Sequence, residues 1–302
     1  MHVINSISQF HDLLSLPEPL HPLVSVVKVE DICRKDDAVW AQFSLNFYCV
    51  SLKKEVLGKV KYGQQYYDYN KGMMTFLAPK QIHGLDAPED DMAGQDSGTG
   101  YILMFQPDFL YGHTLAKTIK NYGFFSYDVN EALHLSEKEE HNVVAIFKKI
   151  EEEYQHIDRH TQDIILSQID LLLNYSNRFY ERQFITRKAV NHGLLSKMEQ
   201  LLAESFEEGS LHNGLVTVEA LAEKLNLSPH YLSDMLRLLT GQSAQQHIHD
   251  KLIDKAKEYL SVTNLSVAEI AYQLGFEYPQ SFNKLFKKKT NVSPLEFRQM
   301  FN

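Results

Sequence analysis

The side chains best placed to do chemistry in this sequence lie near its C-terminal end: Gln280, Ser281, Asn283, Lys284, Lys287 and Lys288. Spacings of three and four residues put them on one face of a helix. Lysine can reach a phosphate or a guanine edge, glutamine and asparagine can pair with adenine edges, and serine can reach either a base or a phosphate. This is the chemistry of recognition rather than of bond-making, and its object would be double-stranded DNA. A comparable face, His230, Tyr231, Ser233, Asp234 and Arg237, lies fifty residues earlier. Asp234 would repel a phosphate, so the first face should add less affinity than the second.

Other chemistry is thinly supplied. His156 and His160 are four apart and would share one face of a helix beginning near Ser136, with Glu152 and Glu153 close by. The glutamate of a zinc-protease motif is missing there, so the bland reading, a solvated polar face, is preferred. A metal-binding barrel needs several histidines, and the strand-rich region offers one clear candidate, His83. His247 and His249 are two apart and would face different ways on a helix. Cys33 and Cys49 supply neither a metal framework nor a disulfide framework and fit a reducing compartment. The expectation is therefore no catalytic residue, no metal, no cofactor and no enzyme.

What must position the two faces is an internal repeat. Thr217–Leu227 and Ser266–Phe276 align without gaps at an offset of 49. Each opens on a hydroxyl residue able to cap a helix, and Ser266 with Glu269 has the spacing of a capping box. Ala222 and Ala271 are small where a partner helix must come close. Asn226 and Gly275 tolerate the left-handed backbone of a tight helix exit. A second helix follows in each copy, opening at Ser228-Pro229 and at Pro279. The apolar anchors Leu232, Met235 and Leu236 then match Phe282, Leu285 and Phe286 at an offset of 50, and Gly241 matches Asn291. The extra residue falls in the turn. Helix, short turn, amphipathic helix is the helix-turn-helix pattern, predicted at about 217–240 and 266–290. Ala244 to Leu260 should form one connecting helix of roughly 25 Å, able to hold two reading heads near one DNA turn apart.

Charge is consistent with this only locally. The 302 residues carry a formal net charge of −9. Residues 1–190 hold 19 Lys+Arg against 26 Asp+Glu, and residues 191–302 hold 11 against 13. The positive charge gathers at Lys284, Lys287, Lys288, Lys289 and Arg298, and a local stripe matters more for docking than the global sum. No apolar run approaches a membrane span, and Met1–Leu16 lacks the pattern of a secretory signal, so a cytoplasmic protein is expected.

The first part of the chain reads as strands from about Pro22 to Tyr111: Leu23–Val29, Val39–Val50, Met73–Leu77 and Tyr101–Phe105, with Asp86–Gly100 as an exposed polar loop. Trp40, Phe43, Phe47, Tyr48, Tyr62, Tyr66, Tyr67, Tyr69 and Phe76 are either core or the lining of a ligand cavity. Two helices follow, about 136–160, capped by Ser136 with Glu139, and 161–183. The stripe Ile165, Ile169, Leu172 and Leu173 on the second either dimerises or packs on the strands. Phe184–Asn191 reads as the connection to the last domain.

From Leu194 to Phe301 the sequence resembles the AraC/XylS family of transcription activators. The likeness rests on Glu269-Ile270-Ala271, Leu274-Gly275-Phe276, Phe282, Leu285-Phe286-Lys287-Lys288 and Ser293-Pro294-Leu295-Glu296-Phe297-Arg298. It departs from the family pattern at Asn291, where glycine is usual, at Tyr278, where a capping Asp or Ser is common, at Lys284, often arginine, and at Asp234, often basic. The earlier part is similar to the cupin-like sensory region of such regulators. Phe124-Phe125-Ser126-Tyr127 and Asn130–Ser136 resemble a Bacteroidetes-type subgroup.

The resemblance implies an α+β chain: residues 1–190 a cupin-like β-barrel with following helices, for sensing or dimerisation, and residues 191–302 an all-α DNA-binding domain with two helix-turn-helix units. It implies a sequence-specific regulator, an activator, reading two successive major grooves. Its partners would be DNA, RNA polymerase, a small-molecule effector and a second copy of the chain. Competing readings are a cupin-type metalloenzyme and a helical repeat that contacts protein only.

Overall fold

The computed structural model of the chain describes residues 1–35, 37–54, 60–62, 65–67, 72–84, 98–128, 131–206 and 215–300. The chain divides into two compact units, Met1–Gln183 and Phe184–Asn302.

The first unit opens with β1 (His2–Ile4) and α1 (Ile7–Leu13), then β2 (Val24–Lys28), α2 (Asp37–Ala41), β3 (Phe43–Leu45), β4 (Tyr48–Lys54), β5 (Val60–Tyr62), β6 (Gln65–Tyr67), β7 (Met73–Leu77), β8 (Ile82–His83) and β9 (Thr99–Phe105). After short 3-10 turns and α3 (Leu115–Thr118) come β10 (Leu133–His134), α4 (Glu137–Tyr154) and α5 (Thr161–Thr186). β10, β7, β4, β9 and β2 form an antiparallel sheet in that order, β1-β3-β8 a second sheet, and β5 with β6 a two-stranded ribbon. β4 pairs with β9 along its whole length, from Tyr48 opposite Phe105 to Lys54 opposite Thr99.

Two expectations are corrected here. Among the described residues the sheets do not close into a barrel, because β10 and β2 remain the two edges of the large sheet. β10 is only two residues long and runs directly into the Ser136 cap of α4. α4 lies along β2, with Lys28 paired to Glu151 at 3.3 Å and Tyr101 stacked on Phe147 at 5.4 Å. The chain covers that edge with a helix instead of pairing it. The run Val39–Val50 is likewise not one strand. A helical turn, Asp37–Ala41, buries Val39 and Trp40, and β3 and β4 then join different sheets.

Rings interlock in the core: Phe10 meets Trp40 and Phe47 edge-on at 5.6 and 5.7 Å. Burying each such side chain stabilises by about 1.5–3 kcal/mol. The α5 stripe Ile165, Ile169, Leu172 and Leu173 has no exposed surface and belongs to this unit's own core. Hydrogen bonds pin the helix at both ends: Gln162 donates to the Phe109 carbonyl, and Arg182 binds the His134 carbonyl and the Glu139 carboxylate. That stripe is therefore not available for dimerisation.

The second unit is helical: α6 (Lys188–Ser205), α7 (Val218–Leu225), α8 (Pro229–Thr240), α9 (Ala244–Val262), α10 (Val267–Gln273), α11 (Pro279–Thr290) and α12 (Pro294–Gln299). The expected eight-residue connection is a single non-helical residue, Arg187, between α5 and α6. No glycine or proline interrupts the stretch. Buried Asn191 donates from its amide to the Phe184 carbonyl at 2.7 Å, satisfying an acceptor freed at the end of α5.

Candidate nucleic-acid interface

The repeat is built twice from the same local chemistry. Thr217 caps α7 and Ser228 caps α8, each accepting a backbone N–H three residues on at 3.2 Å. Ser266 and Glu269 close a full capping box on α10, holding the Glu269 carboxyl below its ordinary range. The first helices exit through left-handed residues: Asn226 at φ +54° and Gly275 at φ +85°. The second helices do the same at Gly241 (φ +78°) and Asn291 (φ +65°).

The likeness extends further than the motifs. Thr240 bonds back to the Leu236 carbonyl and Thr290 to the Phe286 carbonyl, both at 2.8 Å. Ser243 with Gln246 and Ser293 with Glu296 then make equivalent capping boxes on α9 and α12. The repeated unit is thus three helices' worth of instructions, the third being long in one copy and short in the other. The signal for it stands in the sequence as well: Thr240-Gly241-Gln242-Ser243 and Thr290-Asn291-Val292-Ser293 align at the same offset of 50.

Two pairs, α7–α8 and α10–α11, pack around small contacts and large anchors. Ala222 and Ala271 are fully buried, as are Leu232, Met235, Leu236, Phe282 and Phe286. Phe276, Phe282, Phe286 and Phe297 form a ring chain with centroids 5.4–5.7 Å apart. These anchors turn one face of α8 and one face of α11 outward.

On α11 the outward face is the one expected. Gln280, Ser281, Asn283, Lys284, Lys287 and Lys288 are all exposed, and the three lysines make no ion pair among the described residues. Lys289 points the other way, bonded to Asp250 of α9 at 2.5 Å. On α8, His230 and Arg237 are exposed and Ser233 is half-buried. Tyr231 is corrected: it is 2% exposed, with its ring edge-on to Phe184 at 5.0 Å, and cannot touch a ligand on this face. It sits at the margin of the polar arc, where a large ring gains more from burial than from water.

At an offset of 50, the three free lysines correspond to Asp234, Arg237 and Leu238. Asp234 binds Arg237 across one helical turn at 2.7 Å. The α8 face therefore carries no net charge at those positions, and the α11 face carries three positive charges. Tyr278, the N-cap of α11, makes no capping bond and is 58% exposed.

Among the described residues the histidines do not assemble a metal site. α4 ends at Tyr154, so His156 and His160 lie in the loop before α5 and not on one helix face. Asp158 causes this, accepting the N–H groups of His160 and Thr161 and starting α5. No cluster of three or more His, Cys, Asp or Glu fit for a metal occurs among the described residues. His247 and His249 hydrogen-bond Thr240 and Gln245. His83 is half-buried, with its pKa lowered by desolvation. Of the aromatics proposed to line a cavity, Trp40, Phe43, Phe47 and Phe76 are core and Tyr48 is half-buried. Tyr69 lies outside the described residues, as do Asn130, Phe301 and most of the Asp86–Gly100 loop, and Tyr62, Tyr66 and Tyr67 are described only as backbone.

Residues 221–300 match the family model described as "Helix-turn-helix domain". The matched segment runs from within α7 to just past α12. The chain is 32% identical over 113 residues to the Arabinose operon regulatory protein of Escherichia coli (strain K12), covering 37% of this chain and 39% of that protein. It is 36% identical over 107 residues to the HTH-type transcriptional activator RhaS of Salmonella schwarzengrund (strain CVM19633), covering 34% and 36%. The chain thus spans less than half the length of these curated relatives. Among solved structures, the C-terminal domain of AraT, a response regulator from Geobacillus stearothermophilus, is similar at 32% identity over 35% of this chain and 84% of that one, with a TM-score of 0.32. These two curated relatives bear the names of regulators. Among the described residues no helix is long and apolar enough to cross a membrane.

Proposed function

We propose that this chain is an AraC/XylS-type transcription regulator, an activator working in the cytoplasm, and not an enzyme. Its helix-turn-helix domain reads DNA with α11 in one major groove and α8 in the next. The observation that carries this reading is the outward face of α11. Six residues able to bind bases or phosphates lie on one helix face, backed by a buried phenylalanine chain. Gln280, Ser281, Asn283 and Lys284 make base contacts, with Lys287 and Lys288 on phosphate. His230, Ser233 and Arg237 make the weaker contacts of the first unit. α9, 19 residues long, spans about 28 Å, close to the roughly 34 Å between successive major grooves on one side of DNA.

Residues 1–190 serve in this reading as the sensory and dimerisation region, of the Bacteroidetes-type subgroup, receiving a small-molecule effector. A homodimer would use a surface other than the buried α5 stripe; Ile164 and Leu171, each 42% exposed, mark the outer face of that helix. RNA polymerase is the expected partner at the promoter.

The test is a gel shift of the full chain on the DNA upstream of its own gene, with unrelated competitor, across a salt series. A competitor-resistant complex that weakens with salt is expected. No complex with the full chain, and none with residues 191–302 alone, would refute the reading.

A further inference from the structure

A single carboxylate joins the exits of the two outward-facing helices. Asp250, in the second turn of α9, accepts a hydrogen bond at Oδ2 from the Gln242 side-chain amide at 3.0 Å. Gln242 belongs to the turn that ends α8. At Oδ1 the same residue receives the Lys289 ammonium at 2.5 Å. Lys289 belongs to the last turn of α11. Its side chain is 28% exposed, and it lies on the side of α11 opposite to the outward-facing lysines. The helix after α11 is also bonded to α9: Arg298 Nε of α12 donates to the Leu260 carbonyl at 3.3 Å, near the far end of α9.

We propose that Asp250 is a positioning residue that sets the angle and spacing between the two DNA-reading helices. This rests on the two-groove reading above. Both partners of Asp250 are hydrogen-bond donors, so an acceptor with two oxygens satisfies both at once. Removing it takes away the Lys289 bond between α11 and α9 and leaves that contact to apolar packing. Apolar packing sets direction less sharply than a charged hydrogen bond, so α11 can tilt slightly on its buried anchors and the separation of the α8 and α11 faces spreads. The residue touches no DNA. Its effect is on which spacing of half-sites is preferred, not on how tightly each half-site is held. The pair is partly exposed, so the change is modest: about a two- to fivefold loss of discrimination between the preferred spacing and one base pair more.

The experiment uses the full chain with Cys33→Ser, Glu223→Cys and Gln273→Cys, which places spin labels on exposed positions of α7 and α10 away from the proposed interface. Without DNA, the parent should give one narrow label-to-label distance distribution. Asp250→Ala should broaden it, and Asp250→Asn, whose single amide oxygen can accept from only one of the two donors, should broaden it less. Lys289→Ala provides a second route to the same broadening and adds little to Asp250→Ala. An unchanged distribution in folded Asp250→Ala, or in Lys289→Ala, overturns the proposal. On DNA, a series of half-site spacings should show the shallower preference in Asp250→Ala, and an equally steep preference also overturns it. A parent chain that binds no DNA defeats the groove-reading function, while the label distances still decide the tie.

Discussion

Replacing Lys287 and Lys288 together by alanine isolates the electrostatic part of the proposed interface. Both side chains are exposed and neither has an ion-pair partner among the described residues, so truncating them costs the fold little. Each phosphate neutralised contributes about 0.9 to the slope of log affinity against log salt. Two lost contacts should flatten the slope by about 1.8. Between 50 and 200 mM salt, the parent should then lose about tenfold more affinity than the double variant. The assay is fluorescence anisotropy on a short operator duplex at four or more salt concentrations. Lys289→Ala is the internal control. It removes the same charge from the same helix turn, but from the side bonded to Asp250, and should leave the slope unchanged. The reasoning fails if the double variant keeps the parent slope, or if Lys289→Ala flattens it as much as one of its neighbours does.

Other perturbations test neighbouring parts of the argument. Asp234→Asn removes a negative charge from the α8 face and releases Arg237, so the salt slope should steepen by about 0.9; an unchanged slope would mean that α8 does not approach a phosphate. Gly275→Val forces a β-branched residue to φ +85°, and thermal melting should show a loss of more than about 1 kcal/mol; a normal melting temperature would refute the account of that turn. Tyr278→Ser installs the cap that Ser228 already provides in the first copy, so denaturant midpoints should report a gain of about 1 kcal/mol, and a loss would contradict the cap assignment. Buried His11 is bonded to the Pro17 carbonyl and the Ser25 hydroxyl, and desolvation lowers its pKa. Below pH of about 6.5 the unfolded chain then takes up a proton that the folded chain refuses. Stability should therefore fall as pH drops through that value, by at most about 1.4 kcal/mol per pH unit. His11→Asn should flatten the profile, and identical profiles would refute the assignment.

What could be read in the sequence was what repeats or what caps. Ser136, Thr217, Ser228, Ser266 and Pro279 located five helix starts, because an N-terminus is chosen by side chains within three residues of it. Asn226, Gly275 and Asn291 located exits, because few residues accept a positive φ. Illegible were the features decided by distant partners. The run Val39–Val50 has strand composition throughout, yet the choice between a helical turn and two strands is made by the core that receives Trp40. The strand runs of the first unit are compatible with a barrel, but the large sheet stays open with α4 along β2, and no local signal says which element arrives there. The break at Arg187 lies inside the expected connection Phe184–Asn191 but is far shorter, for a related reason. Its acceptor at Phe184 is satisfied by Asn191, seven residues on and inside the next helix.

The polar face itself shows how far residue type can be trusted. Tyr231 and Ser281 hold equivalent positions at the margin of their arcs, and both can donate a hydrogen bond. Only the serine faces outward. The difference is the ring: at an arc margin a side chain can rotate either way, and a tyrosine gains most by turning inward on Phe184. The same reasoning separates Lys289 from Lys287 and Lys288. Three adjacent lysines read as one basic patch, but a helix turns about 100° per residue. Two of them can face a phosphate backbone while the third faces α9, where Asp250 meets it. A basic run on a helix is therefore two kinds of charge, one for a ligand and one for the fold. Which lysine is which follows from the buried anchors, here Phe282 and Phe286, rather than from the lysines.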